Sequence, residues 1–133
     1  MYPGLVTEGT AKKRKKILLV DDSATALLME KTMLGRGYDL VTAGDGAEAL
    51  KTAVRELPDL ILLDVVMPKM DGFEVCRVLR GIEATRHIPI IMVTTRGEGK
   101  NVEAGFASGA NDYVTKPINS AELLAKIQRH LGE

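Results

Sequence analysis

Apolar runs closed by polar residues set the rhythm of the chain. Ile17-Leu18-Leu19-Val20 stops at Asp21-Asp22-Ser23, Leu60-Ile61-Leu62-Leu63 stops at Asp64, and Pro89 to Val93 stops at Thr94-Thr95. Two mixed runs, Tyr38 to Ala43 and Asn111 to Thr115, are also short, and the second ends at Lys116-Pro117. Apolar runs without polar alternation suit strands covered on both faces, as in a parallel sheet. Helical spacing fills the gaps. The pattern predicts helices over Ala24 to Leu34, Ala47 to Leu57, Phe73 to Arg80, Glu98 to Ser108, and from Ser120 to Leu131. Leu27, Leu28, Met33 and Leu34 are the expected core positions of the first helix, and Val75, Val78 and Leu79 those of the third. Leu123, Leu124, Ile127 and Leu131 form a stripe on the last. Ser23 or Asp22 can cap the first helix and Ser120 the last, because a side-chain oxygen there accepts from an orphan N–H. Gly35 and Gly37 end the first helix, and Pro58 closes the second. The fourth helix is a weak one, since Gly99 and Gly105 fall inside it and an interior Gly costs roughly 1 kcal/mol relative to Ala. Fast hydrogen exchange is expected over residues 97–109.

Strand-then-helix alternation repeated five times predicts an α/β fold: a doubly wound five-stranded parallel sheet with helices on both faces and right-handed crossovers. A chain of 133 residues with 45% hydrophobic content makes one domain with a real core. Short apolar runs broken by charges leave no membrane span, and the start of the chain has no apolar signal core. The single cysteine, Cys76, excludes an internal disulfide and a cysteine metal cluster. These features point to the cytoplasm. The formal net charge is zero. Residues 1–16 hold Lys12, Lys13, Arg14, Lys15 and Lys16 against Glu8 alone, so the rest of the chain is acidic. An acidic body argues against nucleic-acid binding. Residues 1–15 read as a basic, disordered tail and 16–133 as the folded domain.

In a parallel sheet the strand ends share one edge, and ligands bind beyond it. Asp21-Asp22, Asp64, Thr94 and Lys116 therefore meet. Taken alone, Asp64 could equally be a strand-ending residue that caps a turn, Thr94 a strand-end hydroxyl and Lys116 a surface lysine. Together, three crowded carboxylates need a cation. An all-oxygen set suits Mg²⁺, and no His or Cys spacing offers zinc. A carboxylate beside a metal and an ammonium can attack a phosphoryl group.

Four segments resemble the response-regulator receiver domains of bacterial two-component signalling. They are Ile17 to Ser23, Asp59 to Gly72, Ile91 to Thr94 and Tyr113 to Pro117, and the likeness runs from Lys16 to Leu131. The resemblance implies a flavodoxin-like sheet order and a phosphorylation-dependent switch. Asp64 would accept the phosphoryl group of a phosphohistidine on a sensor histidine kinase or phosphotransfer protein. Asp22, Asp64 and the main-chain carbonyl of Val66 would hold Mg²⁺, with Asp21 acting mainly through water. Lys116 would pair with Asp64 and then with the phosphate. Thr94 and Tyr113 would form the switch pair that controls binding of a downstream target or output domain, and the Lys116-Pro117 bond would be cis. The domain would be no turnover enzyme. Val66 and Arg96 vary within the family, and here neither orients an attacking water through an amide or carboxyl, which implies slow loss of phosphate.

An aspartate-nucleophile phosphohydrolase is the competing reading. Haloacid-dehalogenase-like phosphatases carry a second Asp two residues after the nucleophile, where this chain has Val66. A flavin or nucleotide module lacks its glycine motif here. A receiver-like domain that only binds is at odds with the intact acids, Thr and Lys.

Overall fold

The computed structural model describes residues 14–95 and 99–133, without the side chains of 99–101. Five strands alternate with five helices: β1 (Lys16–Val20), α1 (Ala24–Leu34), β2 (Asp39–Ala43), α2 (Gly46–Glu56), β3 (Leu60–Asp64), α3 (Gly72–Arg80), β4 (Ile90–Thr95), α4 (Gly99–Ser108), β5 (Asp112–Lys116) and α5 (Ser120–Leu131). Every strand pair is parallel and the order is β2-β1-β3-β4-β5. The order reverses between β1 and β3, which opens a crevice at their carboxyl ends.

Strand residues divide by parity, as a pleat requires. Leu18, Val20, Ile61, Leu63, Ile90 and Met92 pack with Ala49, Ala53, Val75, Cys76 and Leu79 of α2 and α3. Ile17, Leu19, Leu60, Leu62, Ile91, Val93 and Val114 pack with Leu34 of α1 and Leu123 and Ile127 of α5. Both faces are thus covered, which explains why the central strands β1, β3 and β4 run apolar without polar alternation.

The caps follow local chemistry. The Ser23 hydroxyl accepts from the Ala26 amide, and Gly35 at φ 64° ends α1. Asp45 caps α2, and Leu57 stops it in the left-handed region at φ 45°, just before Pro58. Asn119, and not Ser120, caps α5, because its carboxamide oxygen accepts from Glu122 N at 2.9 Å. Two expected core positions face solvent. Leu28 is 64% exposed and Val78 is 42% exposed, since each lies one position off the stripe its helix buries. The expected start of the fourth helix at Glu98 lies outside the described residues, as do Arg96 and the tail up to residue 13.

At the opposite edge, Arg80 gathers several chain segments. Its guanidinium donates to the main-chain oxygens of Gly109 (2.9 Å), Arg86 (3.1 Å) and Ile88 (2.8 Å) and to Asn111 Oδ1 (2.8 Å). Gly109 has φ 110°, and a Cβ there would lie 2.7 Å from Arg80 Cγ, so only glycine fits. No helix among the described residues is long and apolar enough to cross a membrane.

Candidate functional site: an acidic crevice at the strand ends

Asp21 continues β1, its amide donating to Ala43 O of β2 at 3.2 Å. Asp22 follows, exposed, and the Ser23 amide donates to Asp21 Oδ1 at 2.9 Å, which orients that carboxylate. Asp64 is the last residue of β3 and only 4% exposed. The chain then turns back on itself, with the Gly72 amide donating to Val65 O at 2.9 Å. A Cβ on Gly72 would sit 2.4 Å from the Asp64 main-chain oxygen, so this turn can close only over a glycine. Asp21, Asp22 and Asp64 each offer an oxygen, and these oxygens lie within 4.8 Å of one another.

Lys116, the last residue of β5, reaches into this cluster. Its ammonium is 3.5 Å from Asp21 Oδ2 and 3.5 Å from Asp64 Oδ1. Both distances allow charge pairing and are too long for good hydrogen bonds. Asp21 Oδ2 is buried and accepts no hydrogen bond from the described residues. One ammonium thus serves two carboxylates and saturates neither. Burial pushes the Asp64 carboxyl up to about 6, Asp21 pushes the same way, Lys116 opposes them, and Asp22 adds a smaller push. Burial works against the charge on Lys116, but Asp64 and Asp21 outweigh it and its pKa rises.

Thr94 is buried near the end of β4, and among the described residues its hydroxyl has only a long 3.4 Å contact to Thr95 O. The register sets Met92 opposite Tyr113 and Thr94 opposite Thr115. Thr94 and Tyr113 therefore lie diagonally on one face of the sheet. The Tyr113 ring is half-buried, with the Phe106 ring edge-on at 6.1 Å and the Lys126 ammonium 4.8 Å from its centroid. Val66 is 64% exposed, and the Lys116-Pro117 bond is cis.

The residues expected to meet do meet: Asp21, Asp22, Asp64 and Lys116 form one cluster, and Thr94 and Tyr113 share a neighbouring face. Two features escaped the sequence reading. Lys126 of α5 donates to Tyr113 O and pairs with Asp112 Oδ1 at 3.3 Å, which ties the helix to the ring. No spacing signals a contact between α5 and β5. Glu30 of α1 is buried near the cluster. Its signal was legible, since Leu27, Glu30 and Leu34 fall on one helical stripe.

The family description "Response regulator receiver domain" matches residues 17–128. The chain belongs to the response regulator receiver family. It is 47% identical over 115 residues to Response regulator PleD of Caulobacter vibrioides, covering 85% of this chain and 25% of that protein. A putative response regulator from Chloroflexus aurantiacus superposes with a TM-score of 0.88 at 37% identity, covering 91% of this chain and all of that one. The receiver domain of the sensor histidine kinase PA1611 from Pseudomonas aeruginosa superposes with a TM-score of 0.84 at 34% identity, covering 91% and 100% of the two chains, and has a magnesium ion coordinated in its active-site cleft. The chain spans about a quarter to a half of the curated relatives it matches. These relatives share the receiver fold, with its five parallel strands and five helices.

Proposed function

We propose that this receiver domain is a phosphorylation-controlled signalling switch in which Asp64 takes a phosphoryl group from a phosphohistidine on a sensor histidine kinase or phosphotransfer protein. The observation that carries the reading is the shared lysine: one ammonium spans Asp21 and Asp64 at 3.5 Å each, beside a third carboxylate, Asp22. The buried, unsatisfied Oδ2 of Asp21 and the all-oxygen donor set fit Mg²⁺. Asp21, Asp22, Asp64 and the main-chain carbonyl of Val66 would hold it. When bound, the ion offsets the carboxylates' mutual repulsion and the charge on a phosphoryl group.

The chain's own groups do the rest. A carboxylate oxygen of Asp64 forms the new O–P bond as the P–N bond breaks, and its electron pair returns to the imidazole. Lys116 keeps Asp64 ionised before transfer and afterwards can pair with a phosphoryl oxygen. The Thr94 hydroxyl, whose contact to Thr95 O is a long 3.4 Å, can donate to another. Tyr113 would turn into the space released on that face, altering the surface that a downstream target or output domain reads. Two charge-assisted hydrogen bonds of about 1.5–3 kcal/mol each are enough to make a minor arrangement dominant. Exposed, apolar Val66 gives an attacking water no acceptor, which supports a long-lived phosphoryl group. Arg96 lies outside the described residues. The reaction is stoichiometric, without turnover, and the acidic body engages no nucleic acid or membrane directly. A cytoplasmic setting suits it.

Intact mass after treatment with acetyl phosphate and Mg²⁺ tests the proposal. One phosphoryl group should add to the wild type and none to Asp64→Asn. Multiple turnover of a phosphate monoester would favour a phosphohydrolase instead.

A further inference from the structure

Tyr113 lies on β5, the last strand of the sheet, and its ring packs on the side of α2 and α3. The helix α5 buries Leu123 and Ile127 on the other side. Lys126 of α5 nevertheless reaches round the open edge of the sheet, and its ammonium stands 4.8 Å from the ring centroid. That is within the roughly 6 Å over which a ring face attracts a cation. Only 19% of the Lys126 side chain is exposed, so water screens the attraction little. The ammonium is also fixed in place. It donates to Tyr113 O, and it pairs with Asp112 Oδ1 at 3.3 Å and Glu122 Oε2 at 3.5 Å. Asp112 is held in turn, since its Oδ1 accepts from the Tyr113 amide at 2.9 Å and its Oδ2 meets Arg129 and His130. Lys126 is therefore anchored to the backbone on either side of the ring and cannot follow the ring inward.

We propose that Lys126 is a positioning residue that holds Tyr113 outward: the ring leaves this ammonium whenever it turns toward Thr94, so the contact sets how firmly the switch rests in its unphosphorylated arrangement. The inference deepens the switch reading and rests on it. Lys126 acts through the ring and not on Asp64. The contact belongs to the outward ring alone, so removing it shifts the two arrangements by the same factor with and without phosphate. A domain that has lost it is partly switched on before any phosphoryl group arrives.

Inward and outward rings differ in χ1. Three-bond couplings from the Tyr113 amide nitrogen and carbonyl carbon to Cγ measure the two populations by NMR in the full chain, without and with acetyl phosphate and Mg²⁺. The wild type should hold the outward rotamer without phosphate. Lys126→Met keeps the hydrocarbon stem and removes the charge, and should raise the inward-to-outward ratio about three- to tenfold in both states. Lys126→Gln keeps a donor for Tyr113 O without the charge and should match Lys126→Met. Lys126→Arg returns a cation to the ring and should return the wild-type ratio. Urea unfolding reports that each variant folds. Intact mass reports labelling of Asp64 separately, so a failed acceptor is told apart from an idle lysine. The proposal is overturned if folded Lys126→Met keeps the wild-type ratio, if Lys126→Gln behaves as wild type, if Lys126→Arg does not restore the ratio, or if the wild-type ring is already inward without phosphate.

Discussion

Two neighbouring strand–helix units are built to opposite specifications. The unit of β3 and α3 carries Asp64 and is pinned at every joint. Asp71 and Glu74 form a reciprocal capping box at the start of α3, Val75, Cys76 and Leu79 are fully buried, and Gly72 clasps the strand end. The unit of β4 and α4 carries Thr94 and is held loosely. In the described part of α4 only Gly105 and Ser108 are buried, and Phe106 is about half exposed. The helix has no acid in its first turn and no base in its last to offset its dipole. Low local burial means cheap local opening. The difference separates two tasks. A phosphoacceptor must be held still, and the element that responds to it must be able to shift.

The same Gly→Ala substitution should have opposite signs in the two units. In the pinned unit, Gly72→Ala drives a Cβ into the Asp64 carbonyl and should cost about 3 kcal/mol in urea unfolding. A next, smaller effect concerns Asp64 itself. The fold raises its pKa from 3.8 to about 6, so the protonated form is favoured in the folded state. Ionisation therefore removes stability as pH climbs from about 4 through 6, and the deficit is complete at pH 7. Without divalent ions Asp64→Asn should be more stable than the wild type at pH 7, by on the order of 2 kcal/mol. That gain should shrink at pH 4 and on adding Mg²⁺; a destabilised Asn variant at pH 7 would break the link between acceptor strain and acceptor chemistry.

In the loose unit, a Cβ on Gly105 meets Met92 Cγ at 3.4 Å and Phe73 at 3.8 Å, an easy fit. Gly105→Ala should stabilise by up to about 1 kcal/mol and slow hydrogen exchange across residues 102–108. Those amides in the wild type should exchange faster than those of α3 and gain protection after phosphorylation. Equal protection of the two helices would erase the distinction. The smallest effect lies where the start of β5 meets the last turn of α5. Burial pushes the Asp112 carboxyl up, but His130, the Tyr113 amide, Lys126 and Arg129 outweigh it and hold it at about 2. A depressed acid stabilises above its unfolded pKa of about 3.8 and loses that contribution as pH falls toward 2. The melting-temperature gap between wild type and Asp112→Asn should therefore narrow between pH 4 and pH 2.

The sheet and its reactive edge were legible because parallel strands buried on both faces leave an unbroken apolar signature and end on one edge. Asp21 and Asp64 each close such a run and Lys116 closes the mixed run of β5, so their meeting followed from topology. Leu28 and Val78 were misplaced because hydrophobicity alone does not say which edge of a helical stripe turns outward. Asn119 and Ser120 are both good capping residues, and only backbone dihedrals choose between them. The tie from Lys126 to Tyr113 depends on how α5 docks, which no local pattern encodes. Glu30 could have been caught, as an acid placed where its stripe demanded carbon.

The Arg80 staple carries a mechanical consequence. By gripping Gly109 it moors the trailing end of α4 to the floor of the sheet, on the side away from the acids. Any excursion of that helix is then a pivot, small at Gly109 and widest at its leading end, directly after the strand that delivers Thr94. A lever of that form turns a sub-ångström pull on one hydroxyl into a larger sweep of outer surface.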